Sequence, residues 1–226
     1  MHLHEPMPEM YDRSRLLVLD FSKIPDDIPQ TEDIAAFFDE CQQQDINPIL
    51  PENRQNFNQR MLAATGARYL VSLYGEDRTH MLADTHLVEQ GRVIHLGMDI
   101  FSDDQEPVLA PADGEVVRAA YEEEDHGYGN YIIYKPDELD LYIFMGHLAT
   151  GHVEPGRFEA GDKLGKLGDY ANNENGGWSR HMHLQMATKL PPEGQTPPGY
   201  STPNNFGHSQ KIYPNPLPYF PDWQLH

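Results

Sequence analysis

The sequence predicts a mainly β protein, an antiparallel sheet or sandwich, with an α/β extension at its N-terminus. Two observations carry this. From about residue 90 onward, short apolar runs recur between Gly, Asp and Asn, as closely spaced strands do. Before that point the chain instead offers one apolar run and two stretches of helical period.

Residues 15–21 (RLLVLDF) read as a buried strand, followed by a Pro-rich turn. TEDIAAFFDECQQQ at 31–44 reads as a helix, with Ile34, Phe37, Phe38 and Cys41 at i, i+3, i+4 and i+7 on one face. Thr31 can cap its start, and Glu32 and Asp33 suit the positive end of its dipole. A weaker helix covers 54–64, with Phe57, Met61 and Leu62 inward and Gly66 ending it. The strand candidates follow: VIHLGMDIF, PVLAPADGEVVRAAY, GYGNYIIYK, DLYIFMGHL, GDKLGKLG and HMHLQMA. The last stretch is rich in Pro, Asn and Tyr and has no period. The expected organisation is therefore an extension over 1–90 packed on a core domain at 91–190, with an irregular Pro-rich tail at 191–226.

Composition excludes several partners. With 36 acidic against 16 basic residues the formal charge is −20, which disfavours nucleic-acid backbones and anionic membrane surfaces. No run approaches the ~18 apolar residues of a membrane span. The start, MHLHEPMPEMYDRSR, lacks the order of a secretory signal, so a cytoplasmic protein is expected, or a periplasmic one if the natural N-terminus has been trimmed. Cys41 is the sole cysteine. It allows no internal disulfide and no cysteine-rich zinc site, which leaves histidine and carboxylate as metal ligands.

The chemistry-bearing residues fall in three groups. His181-Met182-His183 lies in a strand candidate, where residues two apart project to one face, so both imidazoles would enter one cleft. One can bind metal while the other stands beside it, or both can be wet histidines on an edge strand. His95 and Asp99 are four apart, but Gly97 between them and β-like flanks argue against a helix, so they would converge through a bend at a strand end. His147 ends the apolar run DLYIFM at the mouth of a strand.

In order and spacing these groups resemble the lysostaphin-type (LytM-like) zinc metallopeptidases, which combine H-x-x-x-D with a downstream H-x-H. The resemblance spans roughly 90–190: HLGMDIF at 95–101, APADGEVV at 110–117, GYGNYIIY at 127–134, GHL at 146–148, a Gly-Asp-x-Leu-Gly turn at 161–165 and HMHLQM at 181–186. It implies a duplicated-hybrid-motif β fold and one Zn2+ per chain held by His95, Asp99 and His183. His147 and His181 become the catalytic pair. In such a site zinc lowers the pKa of its water toward ~7, and a neighbouring imidazole takes or relays the proton as the peptide carbonyl is attacked. The implied activity is a zinc metalloendopeptidase acting on peptidoglycan-type peptides. Manganese, cobalt or nickel could occupy the same donors.

The chain departs from the family pattern at Met145, where tyrosine is common, so that Tyr142 or Tyr128 would have to supply a hydroxyl. It also departs at the ending HMHLQ, where H-L-H-F-E is usual. A looser resemblance, carried by LYGEDR at 73–78, NENGGW at 173–178 and the strand–helix opening at 15–44, is to an intracellular peptidase-like domain fused to class III aminotransferases. It implies a zinc hydrolase of a small peptide or amide metabolite. A third reading is a biotinyl- or lipoyl-like carrier, suggested by VLAPADGEVV, but no lysine hairpin of that kind occurs between 114 and 164. A zinc-binding scaffold without catalysis would be expected to lack one of the five residues, and all five are present.

Smaller expectations complete the reading. Gly127 to Asn130 should form a turn at the cleft rim, and Glu122 to Asp125 a solvated loop. His126 and His152 should lie near the cleft, and Trp178 and Tyr170 could line it or pack as aromatics within a long loop. The histidines at 2, 4, 80, 86, 208 and 226 should be surface residues. The segment 67–94 leads directly to His95 and could occlude the cleft.

Overall fold

The computed structural model describes residues 3–7, 16–21, 32–48, 50, 53–83, 85–124 and 126–220, with backbone alone for Asp33 and Ile34. The expected cap at Thr31, the inward Ile34 side chain, the Asp125 end of the acidic run, His2 and His226 lie outside the described residues.

The strands are β1 (Leu16–Leu19), β2 (Tyr69–Ser72), β3 (Ile94–His95), β4 (Met98–Phe101), β5 (Pro107–Leu109), β6 (Gly114–Glu122), β7 (Gly129–Pro136), β8 (Tyr142–Leu148), β9 (Gly156–Phe158), β10 (Lys163–Lys166), β11 (His181–Ala187) and β12 (Tyr200–Ser201). The helices are α1 (Glu32–Gln43), α2 (Arg54–Thr65), α3 (His86–Glu89) and α4 (Phe206–Ile212). Eight strands form one mixed sheet in the order β1-β2-β4-β11-β8-β7-β6-β9, and β5–β10 and β3–β12 make two small antiparallel pairs. The fold is thus mainly β, as the strand spacing predicts. The pairing differs at one edge, where β1 and β2 run parallel because α1 and α2 cross over between them.

β11 lies at the centre between β4 and β8, all seven of its residues buried. Period-two alternation sorts its side chains. Met182, Leu184 and Met186 enter the main core with Met98, Ile100, Ile143 and Met145, each such burial stabilising by roughly 1.5–3 kcal/mol. The odd-numbered residues His181, His183 and Gln185 project to the other face, as do Asp99 and Phe101 of β4.

α1 and α2 cover part of that second face through Phe37, Cys41, Phe57, Met61 and Leu62, which cluster with Phe101 and Trp178. Phe38 is partly buried against the same cluster. Gly66 ends α2 in the left-handed region at φ 69°, its N–H donating to Leu62 O. The aperiodic C-terminal stretch carries β12, which pairs with β3, and the short helix α4. Among the described residues no helix is long and apolar enough to cross a membrane.

Candidate metal centre and cleft

β3 ends at His95, the chain bends through Leu96 and Gly97, and β4 brings back Asp99 opposite His183 of β11. One donor atom from each of His95, Asp99 and His183 lies within 4.8 Å of the others, and all three residues are buried. His95 Nδ1 is 3.1 Å from Leu73 O and His183 Nε2 is 2.9 Å from Gln185 Oε1. Carbonyl oxygens only accept, so those nitrogens carry the protons. The orientation of the Gln185 amide is fixed in turn, because its Nε2 donates to Pro198 O and its Oε1 accepts from Tyr128 OH.

The remaining nitrogens, His95 Nε2 and His183 Nδ1, face each other at 3.2 Å and stand 3.3 and 2.9 Å from Asp99 Oδ1. Three lone-pair-bearing atoms therefore converge with no proton assigned among them. Burial and Arg78 hold His95 down to about 3. At Asp99, burial, which alone would raise the pKa, is outweighed by His95, Arg78, His181 and the His183 contact, so the carboxyl stays well below the usual range. Such a donor set fits a divalent cation, and two imidazoles with one carboxylate suit zinc. Gly97 is required for the convergence: a Cβ there would lie 2.4 Å from His183 Cε1.

His147 and His181 stand beside this set, ring centres 4.2 Å apart. His181 Nδ1 donates to Ser179 O at 2.6 Å, and His147 Nδ1 to Asn175 O at 2.8 Å. Both Nε2 atoms are thus left as bases, that of His181 being 3.8 Å from Asp99 Oδ1. Burial pushes His181 down to about 4 and His147 well below the ordinary imidazole value, in the latter case with His181 and His183 adding to the effect.

The strand pattern alone would aim His147 at the core, on the face of Met145. A one-residue bulge in β8 prevents this: Ile132 pairs with Met145 but Asn130 with Leu148, and His147 takes φ 63°. Leu148 returns to the core while His147 reaches the cleft.

The cleft has a volume of about 240 Å3, with Asp99, His147, His181 and His183 on its floor. Met81, His86 and Leu87 form one wall, and Thr196 to Tyr200 another. The segment 67–94 therefore supplies part of a wall. Gly127 and Tyr128 are at the cleft as expected, and so are His126 and Trp178. Tyr128 OH reaches Pro197 O, whereas Tyr142 is not in the lining; its ring takes Lys135 at 5.1 Å.

Two minor expectations need correction. His152 and the exposed Tyr170 are not lining residues, but His86 is, being half-buried rather than a free surface residue. Glu122 is also a lining residue, because its carboxylate accepts from Tyr128 N and Thr196 Oγ1 and so is drawn out of solvent.

Sequence reasoning missed Arg78 and Glu76, both buried behind the donors. They lie within LYGEDR, but nothing in that spacing identifies a partner for Asp99.

The mainly β fold and the His95, Asp99 and His183 donor set agree with what the resemblance to lysostaphin-type peptidases implies. Residues 93–195 match the model of peptidase family M23. The catalytic domain of the antimicrobial peptidase lysostaphin from Staphylococcus simulans is similar over 50% of this chain and 79% of its own, at 22% identity and TM-score 0.38. Another lysostaphin structure gives 23% identity and TM-score 0.37 over 51% of this chain and 44% of that one. A zinc-containing peptidase from Vibrio cholerae gives 24% and 0.34 over 42% and 27%. A search of curated proteins gave no match.

Proposed function

We propose that the chain is a zinc-dependent metalloendopeptidase hydrolysing peptide bonds, with peptidoglycan-type peptides as substrates. The observation that carries this is the convergence of His95 Nε2, Asp99 Oδ1 and His183 Nδ1 beside two imidazoles anchored to leave Nε2 free, with all but His95 lining the cleft. In this reading those three residues hold one zinc, residues 91–190 are the catalytic domain, 1–90 its extension and 191–226 its tail. When bound, the ion supplies Lewis acidity that activates water toward a peptide carbonyl.

The chain's own groups do the rest. His181 and His147 take a proton at Nε2, each held in the productive tautomer by a backbone carbonyl, and return it to the departing amine. Between taking the proton and returning it, the protonated ring faces the developing oxyanion. No carboxylate is needed as base, in keeping with the absence of an H-E-x-x-H pattern.

A second reading, a zinc hydrolase of a short peptide or amide metabolite in the cytoplasm, is favoured by the cleft itself. Its floor residues are at most 5% exposed, and its walls include segments outside the family match. Digestion of purified peptidoglycan and of a short-peptide library, with chelator and after zinc is restored, tests both. Release of peptidoglycan fragments is the expected result. Cleavage of short peptides alone would favour the second reading, and cleavage of neither by protein carrying one zinc would overturn both.

A further inference from the structure

The donor set uses one oxygen of Asp99, and the other has a partner of its own. Asp99 Oδ2 accepts from Arg78 Nη1 at 2.6 Å, with Ser72 Oγ at 3.4 Å. The guanidinium is fully buried and held on several sides: Nε donates to Glu76 Oε2 at 3.1 Å, Nη2 to Ser72 Oγ at 2.6 Å, and Nη1 also to Tyr200 OH at 3.3 Å. Glu76 is fixed in turn by Leu73 N at 2.6 Å, and Leu73 O is the acceptor that orients His95. Residues 72–78 thus grip two of the three donors, and all of them precede the family match at 93–195. Arg78 is absent from the cleft lining, so it acts on Asp99 and not on a substrate.

We propose that Arg78 is a positioning residue which confines Asp99 to a single oxygen toward the metal. The inference rests on the metal-binding reading above. A carboxylate can chelate an ion with both oxygens or offer only one. Here chelation would break a charge-assisted hydrogen bond within a network that leaves the guanidinium little room to follow. Keeping Oδ2 occupied limits the protein to three donor atoms and leaves coordination positions for water and substrate.

The test is cobalt and zinc binding to the full chain as wild type, Arg78→Lys and Arg78→Met. Zinc affinity would be read by competition with a chromophoric chelator, and the cobalt site by its visible absorption. Arg78→Met is expected to weaken zinc about 10- to 100-fold, the range for loss of an outer-shell partner. Its cobalt bands should weaken as Asp99 turns to two-oxygen coordination. Arg78→Lys, which keeps the buried charge and one donor to Oδ2, should fold where Met does not and retain most of the wild-type spectrum. A residue with a structural role alone would lower the melting temperature of the metal-free protein and leave the cobalt spectrum of the folded variant unchanged. That result, in Met or in a Lys variant made to stand in for it by Ser72→Ala/Arg78→Lys, overturns the proposal. Wild-type protein that gives no cobalt spectrum at all would instead remove the metal-binding reading beneath it.

Discussion

His147 and His181 differ from His95 and His183 in what their free ring nitrogens meet, and hardly at all in burial. All four imidazoles have one nitrogen tied to an oxygen acceptor. In the first pair that acceptor is backbone at both positions, and among the described residues neither Nε2 has an acceptor within hydrogen-bond distance, Asp99 Oδ1 standing 3.8 Å from that of His181. In the second pair the free nitrogens converge with Asp99 Oδ1, which Arg78 steadies from behind. The lesson is that residue type does not separate a proposed ligand from a proposed base. The partner of the second nitrogen does.

The largest effects should come from testing that division directly. His183→Ala is expected to lose zinc and activity together. His147→Ala and His181→Ala are expected to keep one zinc per chain while hydrolysis falls about 10²- to 10⁴-fold, the usual contribution of a general base. Metal analysis beside a peptide-cleavage assay reads both quantities. Equal zinc loss in all three variants would break the comparison.

How much of this was legible in the sequence depends on how local the signal was. The alternation of HMHLQM alone puts His181 and His183 on one face and Met182, Leu184 and Met186 on the other, and the structure keeps that division. Phe57, Met61 and Leu62 point inward in α2 as their spacing predicts. His147 is the opposite case. Its approach to the cleft depends on a bulge and a left-handed backbone angle, and a histidine carries no sequence mark of either. Arg78 was unreadable for a different reason: it lies in a loop, its partner is 21 residues away on β4, and its burial follows only from the assembled sheet. The helix α4 is short, and two of its seven residues, Gly207 and Ser209, are weak helix formers, so no period marked it.

A smaller effect sharpens the comparison from the backbone side. Gly97→Ala would place a methyl group 2.4 Å from His183 Cε1, 2.6 Å from its Nε2 and 2.9 Å from Leu184 O. His183 must move or the bend before β4 must open, at a cost of about 1–3 kcal/mol. Zinc affinity is expected to fall, with fold retained by circular dichroism. The three atoms nearest that methyl position belong to His183 and Leu184 and not to His147 or His181, so re-saturation with zinc should restore most of the cleavage rate. A rate that stays low at full zinc occupancy would mean that the two groups are not separable.

The smallest expected effect concerns acid. His181 is held at about 4 in the folded chain against about 6.5 when unfolded, because burial disfavours its cation. Between those values the unfolded chain binds more protons than the folded one, so stability rises with pH. Read in the other direction, the contribution of neutral His181 is complete above pH ~6.5 and is lost as pH falls toward ~4. His147, lowered further still, adds a loss of the same sign. The metal-free protein should therefore show a melting temperature that drops across this window, and His181→Ala should flatten the drop without abolishing it, since His147 and His95 remain buried. If the slope in His181→Ala equals that of the wild type, the free Nε2 already has a proton-holding partner in the folded state, and the contrast between a base pair and a donor set fails at His181.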